Sequence, residues 1–240
     1  MIKTRLILKI SGAALKNNSA DQILSSEKLK DLTRQIKQIH RKYDIGIVIG
    51  GGNIWRGGAS DTNLYRAEQA HYMGMIATII NSIALKEALV RQSVAVDIYS
   101  LLPCPKVAKN YQKESVNRAL SQHKVVILAG GTGKPFFSTD TGSAKNAIEL
   151  HAKFILMGKD GVDGVYSDDP KKNKNAIRFE FLSFKDAISK KLKVMDLSAL
   201  KLCQQNNIDI IVFNIDRKNA IVDAIERKTP ITIVSKTESR

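Results

Sequence analysis

A chain of 240 residues with 43% hydrophobic content carries enough apolar material for one sizeable core or two smaller ones. Its net charge of +15, from 38 basic and 23 acidic residues, favours phosphate-bearing partners, but the lysines are scattered and aromatics reach only 6%, so no stacking platform for single-stranded nucleic acid is laid out. The apolar start breaks at Ser11-Gly12, too short for a signal peptide or membrane span, and Cys104 and Cys203 lack disulfide-framework or metal-site spacing, so the expectation is a soluble cytoplasmic protein with no membrane partner and with nucleic acid not its main one.

The first predicted strand is "RLILKI". Lys9 falls inside a run that otherwise suits a buried strand, followed by Ile10, Ser11 and Gly12. Such a lysine either meets an anion that offsets the cost of burial, or lies at the strand's wet end and reaches outward. A helix bearing Leu29, Leu32, Ile36 and Ile39 at three- and four-residue spacing leads to the next strand, "IGIVIG". Residues 48–58, "VIGGGNIWRGG", place Gly50, Gly51 and Gly52 directly after that strand and Arg56 beyond them. Without Cβ atoms the backbone admits a phosphate, and Arg56 offers a fixed fork to its oxygens; a hairpin with a surface arginine fits the same letters. Neither the GxGxxG nor the Walker A spacing occurs, which excludes an ordinary dinucleotide fold or P-loop.

A long helix follows, with its stripe through Tyr72, Met75, Ile76, Ile79, Ile80 and Ile83. Met73 and Met75, with the isoleucines that follow, are expected to form a packed face that extends into a subunit contact. Then come "VAVDIY", a helix near residues 114–122, and "KVVILAG". Residues 130–142, "GGTGKPFFSTDTG", join a glycine-rich turn to Phe136, Phe137 and a run of hydroxyls, with Ser138 or Thr139 able to cap the next helix. A helix start with spare hydroxyls suits a phosphate and the phenylalanines suit the wall of a base; a plain N-cap with core phenylalanines is equally consistent.

The second half repeats the alternation: a helix over about residues 140–151, "KFILM", a linker turning at Asp169-Pro170, a helix near Asp186, another after Asp196, "IDIIVF", a helix near residues 219–227 and "ITIVS". In "KDGVDGVYSDDP", Tyr166 offers a face for a purine and Asp169 a carboxylate for ribose, although a surface hairpin accounts for the segment too. Asp196 is a natural N-cap. The four histidines form no metal-ligand spacing, so no dedicated metal site is expected. Strands separated by helices predict an α/β fold: an open, mainly parallel sheet sandwiched by helices, one domain with two lobes meeting near residue 150. Ligands in such sheets bind beyond the carboxyl ends of the strands, where "LKISG", "GGGN" and "AGGTG" all fall.

Taken in order, "LKISG", "VIGGGNIWRG", "YMGMIAT", "GTGKPFFSTDT", "VDGVYSDDP", "LKVMDLSA" and "VFNI" resemble the bacterial uridylate kinases of the amino acid kinase fold family, from about residue 5 to residue 234. The resemblance implies magnesium-assisted transfer of the γ-phosphate of ATP to UMP in pyrimidine nucleotide synthesis, by a homohexamer. It places Lys9, Ile10, Ser11, Gly12, Gly52 and Arg56 along the ATP phosphates, and Asp160, Tyr166 and Asp169 at the adenosine. Gly51, His71 and the loop of Thr132, Gly133, Lys134, Pro135, Phe136, Phe137, Ser138 and Thr139 would hold UMP, with the UMP and oligomer contacts in residues 1–150 and ATP in residues 151–240. Lys9, Arg56, Asp140 and Asp196 would organise the reacting centre, and magnesium would arrive with ATP. Three positions depart from the family pattern: His71 replaces an aspartate, Ala13 replaces a glutamate, and Asp160 stands where asparagine or threonine is common, with Lys159 the other candidate for that contact. The other readings are a relative acting on a carboxylate or carbamate, and a nucleotide-sensing regulator without activity.

Overall fold

The computed structural model describes residues 3–16, 22–55 and 64–237. Strand β1 (Thr4–Ile10) is buried from Leu6 onward and lies at the middle of the sheet, in parallel register with β2 (Tyr43–Ile49) on one side and β6 (Phe154–Lys159) on the other. Its alternation assigns two cores: Leu6, Leu8 and Ile10 enter one, while Ile7 enters the other. A 3₁₀ turn (Gly12–Leu15) follows β1 directly.

Helix α1 (Ser26–His40) starts where Ser25 accepts the amide of Lys28, and it buries Leu32, Ile36 and Ile39, the expected stripe. Helix α2 (Ala67–Val90) is apolar on nearly every side and is long and apolar enough, by length and composition, to cross a membrane. Here its inner side packs on β3 (Val96–Ser100), β5 (Val125–Ala129) and α1. The remaining elements are β4 (Lys109–Asn110), α3 (Lys113–Ser121), α4 (Thr139–Glu149), β7 (Val165–Tyr166), β8 (Arg178–Phe179), β9 (Phe181–Ser183), α5 (Phe184–Ser189), α6 (Leu197–Asn206), β10 (Asp209–Asn214), α7 (Ala220–Ile225) and β11 (Ile231–Ser235).

Nine strands form one sheet in the order β4-β3-β5-β2-β1-β6-β10-β11-β9. Among the described residues of this sheet only the β10–β11 pair is antiparallel, so this is the open, mainly parallel sheet that the alternation predicts. Residues of α1, α2 and α7 fill one core and residues of α3, α4, α5 and α6 fill the other, which covers both faces of the sheet. The linker expected after β6 holds structure that its letters conceal: β7 and β8 pair as a separate antiparallel ribbon and β9 adds to the sheet edge. These strands have two or three residues, fewer than a period-2 pattern needs to show itself.

Candidate active site

Because β1, β2, β5, β6 and β10 run parallel, their carboxyl ends share one rim, and the glycine-bearing turns after β1, β2 and β5 all open there. Two of these turns touch. A Cβ on Gly12 would stand 2.7 Å from the carbonyl of Gly50, from the amide of Gly52 and from Oδ1 of Asn53, so the first two corners fit only because this one is bare. Gly51 is held as closely from the other side: a Cβ there would meet the Gly74 carbonyl at 2.7 Å and Ala77 at 2.8 Å, both on α2. Two asparagines lock the arrangement. Asn81, fully buried on α2, donates to the Gly50 carbonyl and to Oδ1 of Asn53, each at 2.7 Å, and Asn53 donates to the Ile23 carbonyl at 2.9 Å. The third turn is pinned to the same helix, where the Gly130 amide donates to Thr78 at 2.9 Å.

Lys9 is 9% exposed and pairs with Asp140 at 2.8 Å. Asp140 occupies the first turn of α4, whose start is set by Ser138: its hydroxyl accepts the amides of Asp140 and Thr141 at 3.0 and 3.1 Å. The same hydroxyl donates to Asp196, the N-cap of α6. Asp196 also accepts from Thr141 at 3.1 Å, from Ser198 at 2.6 Å and from the Ala199 amide at 2.8 Å. Burial pushes the Asp196 carboxyl up, but the donors Ser138, Ser198, Ala199 and Thr141 together hold it below the usual carboxylate range, so it stays ionised at neutral pH. Beneath it, burial and the charges of Asp196 and Asp140 push the Cys203 thiol up to about 12, which makes it inert.

Two cavities open on either side of this centre. One, of about 300 Å³, is lined by Gly51, His71, Met75, Phe136, Phe137, Ser138 and Thr139 among others. Phe136, 68% exposed and at a φ of +67°, meets the edge of His71 with centroids 4.7 Å apart, and Phe137 lies under the Lys145 ammonium at 4.7 Å. Thr132 donates to the Lys134 carbonyl at 3.1 Å and Gly133 takes a φ of +70°, which closes a turn ahead of Pro135, outside the lining of this cavity. The other cavity, of about 440 Å³, is lined by Lys159, Tyr166, Asp169, Pro170 and Lys193 among others. The Tyr166 hydroxyl donates to Asp163 at 2.7 Å, and Arg217 holds Asp163 at 2.9 Å, so the ring is fixed from behind. Asp169 caps the amide of Lys171 at 3.0 Å.

Of the predicted residues, Lys9, Gly12, Gly52, Asp140 and Asp196 lie at these corners and helix starts, Gly51, His71 and Phe136, Phe137, Ser138 and Thr139 line the first cavity, and Tyr166 and Asp169 line the second; Thr132, Gly133, Lys134 and Pro135 line neither, and two others stand apart. Arg56 lies outside the described residues. Asp160 is not among the groups lining the Tyr166 cavity; it stands against Asp216, where partial burial and then that second carboxylate raise its pKa, while Lys159 lines the cavity in its stead. Ile10 is wholly buried and contributes only backbone, and Ser11 heads the 3₁₀ turn by accepting the Ala14 amide at 3.0 Å. Asn81, Thr78 and Ser198 escape the reading of the sequence. The visible signal for the first two is polarity inside the apolar run "IATIINSIAL".

The sequence profile of the amino acid kinase family matches residues 4–214. The chain belongs to the amino acid kinase family. Within that family it is 47% identical to the uridylate kinase of Ureaplasma parvum serovar 3, over 98% of this chain and all of the relative. It is 41% identical to the uridylate kinase of Mycoplasma genitalium, over 97% of this chain and 96% of the other. Among solved structures, the UMP kinase of Ureaplasma parvum superimposes with a TM-score of 0.95 over 98% of this chain and all of that one. The UMP kinase of Bacillus anthracis, 32% identical, gives 0.91 over 99% of this chain and 98% of its own. The amino acid kinase fold is thus shared with a structure that has about a third of its residues in common.

Proposed function

We propose that the chain transfers the γ-phosphate of ATP to UMP, giving UDP and ADP. The observation that carries this reading is the convergence of bare-backbone corners and the Lys9–Asp140 pair between two cavities, one walled by phenylalanines and one by Tyr166 and Asp169. It is supported by relatives bearing the names uridylate kinase and UMP kinase over nearly the whole chain. ATP is assigned to the Tyr166 cavity and UMP to the His71 and Phe136 cavity, so that their phosphates meet over the corners of Gly12 and Gly51.

Phosphoryl transfer of this kind asks for positioning and charge compensation, with no nucleophilic side chain. The acceptor is a phosphate oxygen of UMP that is ionised at neutral pH, so no general base is needed. Lys9 offsets the repulsion between the two anions, held in place by Asp140. The Thr139 hydroxyl and the positive end of α4 face the acceptor phosphate, while the Ser138 hydroxyl serves the Asp140 and Thr141 amides and Asp196. Asp196, through Ser138 and Thr141, fixes that helix start against α6.

Magnesium fits the donor set. Two carboxylates, Asp140 and Asp196, with the hydroxyls of Ser138, Thr141 and Ser198, are hard oxygen ligands; among the described residues there is no cluster of three metal-binding side chains. The ion would therefore be shared with the phosphates, held by Asp140 and Asp196, and would supply neutralisation of oxygen charge. A subunit contact, which the homohexamer implied by the resemblance requires, is supported by α2, which leaves Ile76 and Ile80 51% and 44% exposed.

A coupled assay with purified protein, ATP and magnesium tests the reading. UMP should yield UDP, while CMP, dCMP, acetylglutamate, aspartate and carbamate should not be phosphorylated at comparable rates. Protein that leaves UMP unchanged, or that prefers one of the carboxylates, overturns it.

A further inference from the structure

Trp55 is the only tryptophan of the chain, and it ends the turn that carries the glycine corner after β2. Its amide donates to the Gly51 carbonyl at 2.9 Å, as the Ile54 amide does at 3.0 Å, so the corner folds back on itself. The indole Nε1 then donates to the Ala70 carbonyl at 2.9 Å, in the first turn of α2. Cδ1 of the same ring lies 3.8 Å from where a Cβ on Gly74 would stand, so the indole spans one turn of the helix, from Ala70 to Gly74. Tyr65, just ahead of α2, meets the ring edge-on with centroids 5.3 Å apart.

Ala70 is buried inside α2, where its carbonyl already serves the ladder of the helix. A carbonyl oxygen has a second lone pair, and the indole takes it. The bond is therefore a tie between two elements, one that neither needs for its own backbone. It gives the corner two attachments to α2. Gly51 meets the Gly74 carbonyl by close backbone approach, and Trp55 holds the helix one turn nearer its start. A single contact at Gly74 would fix the distance between corner and helix but leave the first turn free to tilt. His71 lies between the two attachments, with its ring against Phe136, and Gly51, Trp55, His71, Met75 and Phe136 all line the same cavity.

We propose that Trp55 is a positioning residue for the acceptor nucleotide: by tying the glycine corner to the Ala70 carbonyl it sets where His71 stands relative to Gly51 and Phe136, and so the width of the cavity. The inference rests on the assignment of UMP to that cavity. Trp55 acts through His71 and the backbone of α2 and leaves the reacting centre at Lys9 and Asp140 untouched. Its effect therefore belongs to the KM for UMP and not to kcat. Arg56, the next residue in the sequence and assigned to the ATP phosphates, would instead carry an effect into the KM for ATP.

Steady-state kinetics of Trp55→Phe, His71→Ala and the double variant test this. Phenylalanine keeps an aromatic wall and removes the N–H donor. The KM for UMP should rise about fivefold, the scale of one hydrogen bond between neutral groups, while kcat and the KM for ATP stay within about twofold. In the His71→Ala background the same exchange should alter the KM for UMP by less than about twofold, because the two residues act as a unit. An unchanged KM for UMP in Trp55→Phe overturns the proposal. So does an equal rise in the KM for ATP, a loss confined to kcat, or a full fivefold effect in the His71→Ala background. Should Trp55→Phe fail to fold, the wild-type protein provides the second measurement, since all tryptophan emission comes from Trp55. UMP should shift its maximum and ATP should leave it in place; emission that ignores UMP where calorimetry shows it bound, or that moves as far with ATP, overturns the proposal. Wild-type protein that binds no UMP would remove the acceptor assignment itself, and this inference with it.

Discussion

Lys9 puts a charge where a central strand would otherwise bury only hydrocarbon, and Asp140 is what makes that tenable. The lysine is legible in "LILKISG" as a cation among apolar neighbours, but its partner is not, because Asp140 reaches it only through the placement of α4 over the sheet. Lys9→Ala should retain the fold, since the strand keeps both of its neighbours, and lower turnover by at least ~100-fold, the scale of losing one preorganised charge. Steady-state assay beside a thermal melt checks both halves; near-normal turnover would remove Lys9 from the reacting centre. Asp196 shows the same division. Its N-cap role can be read from "KVMDLS", whereas its link to Ser138 and Thr141 depends on α6 lying beside α4.

Among the elements, the glycine corners matter most. Their positions after predicted strands are plain in the letters, and the reason for their bareness differs from the simplest expectation. Gly12 lacks a Cβ because another backbone corner occupies that space, as well as to admit a phosphate. Gly12→Ala should therefore act on structure and binding together. Forcing the corners apart should cost about 1–3 kcal/mol of stability by overpacking. ATP affinity should drop as the Gly50–Gly52 turn shifts. Urea melts and nucleotide titration measure the two effects; a variant of full stability and affinity would mean the corners can separate freely. Helix α2 serves as the common brace, with Asn81 on Gly50, Thr78 on Gly130 and the Gly74 carbonyl against Gly51. That bracing explains why a helix so apolar carries buried polar side chains: they satisfy the backbone of the turns they hold.

For the molecule as a whole, the same helix presents its other side outward. Ile76 and Ile80 lie one turn apart on α2, and they are too exposed to belong to the core. If α2 joins copies of the chain, Ile76→Lys together with Ile80→Lys should shift the particle mass in light scattering from the assembly toward smaller species. The thermal stability of each chain should change little, since neither residue is buried within it. An unaltered mass would take α2 out of the interface.

The amino-acid sequence by itself determined the main alternation of strands and helices, the bare turns at strand ends and Asp196 as the cap of α6, and narrowed the cap of α4 to Ser138 or Thr139, because each depends on backbone preferences and side-chain periodicity within a few positions. Tertiary structure alone decided that β1 lies between β2 and β6, that Lys9 meets Asp140, that Lys159 rather than Asp160 faces the Tyr166 cavity, and that two glycine corners touch. Those outcomes follow from strand order and from which face of the sheet each side chain leaves. Both are set by how distant segments pack to cover the two faces, a property that no local stretch of letters carries.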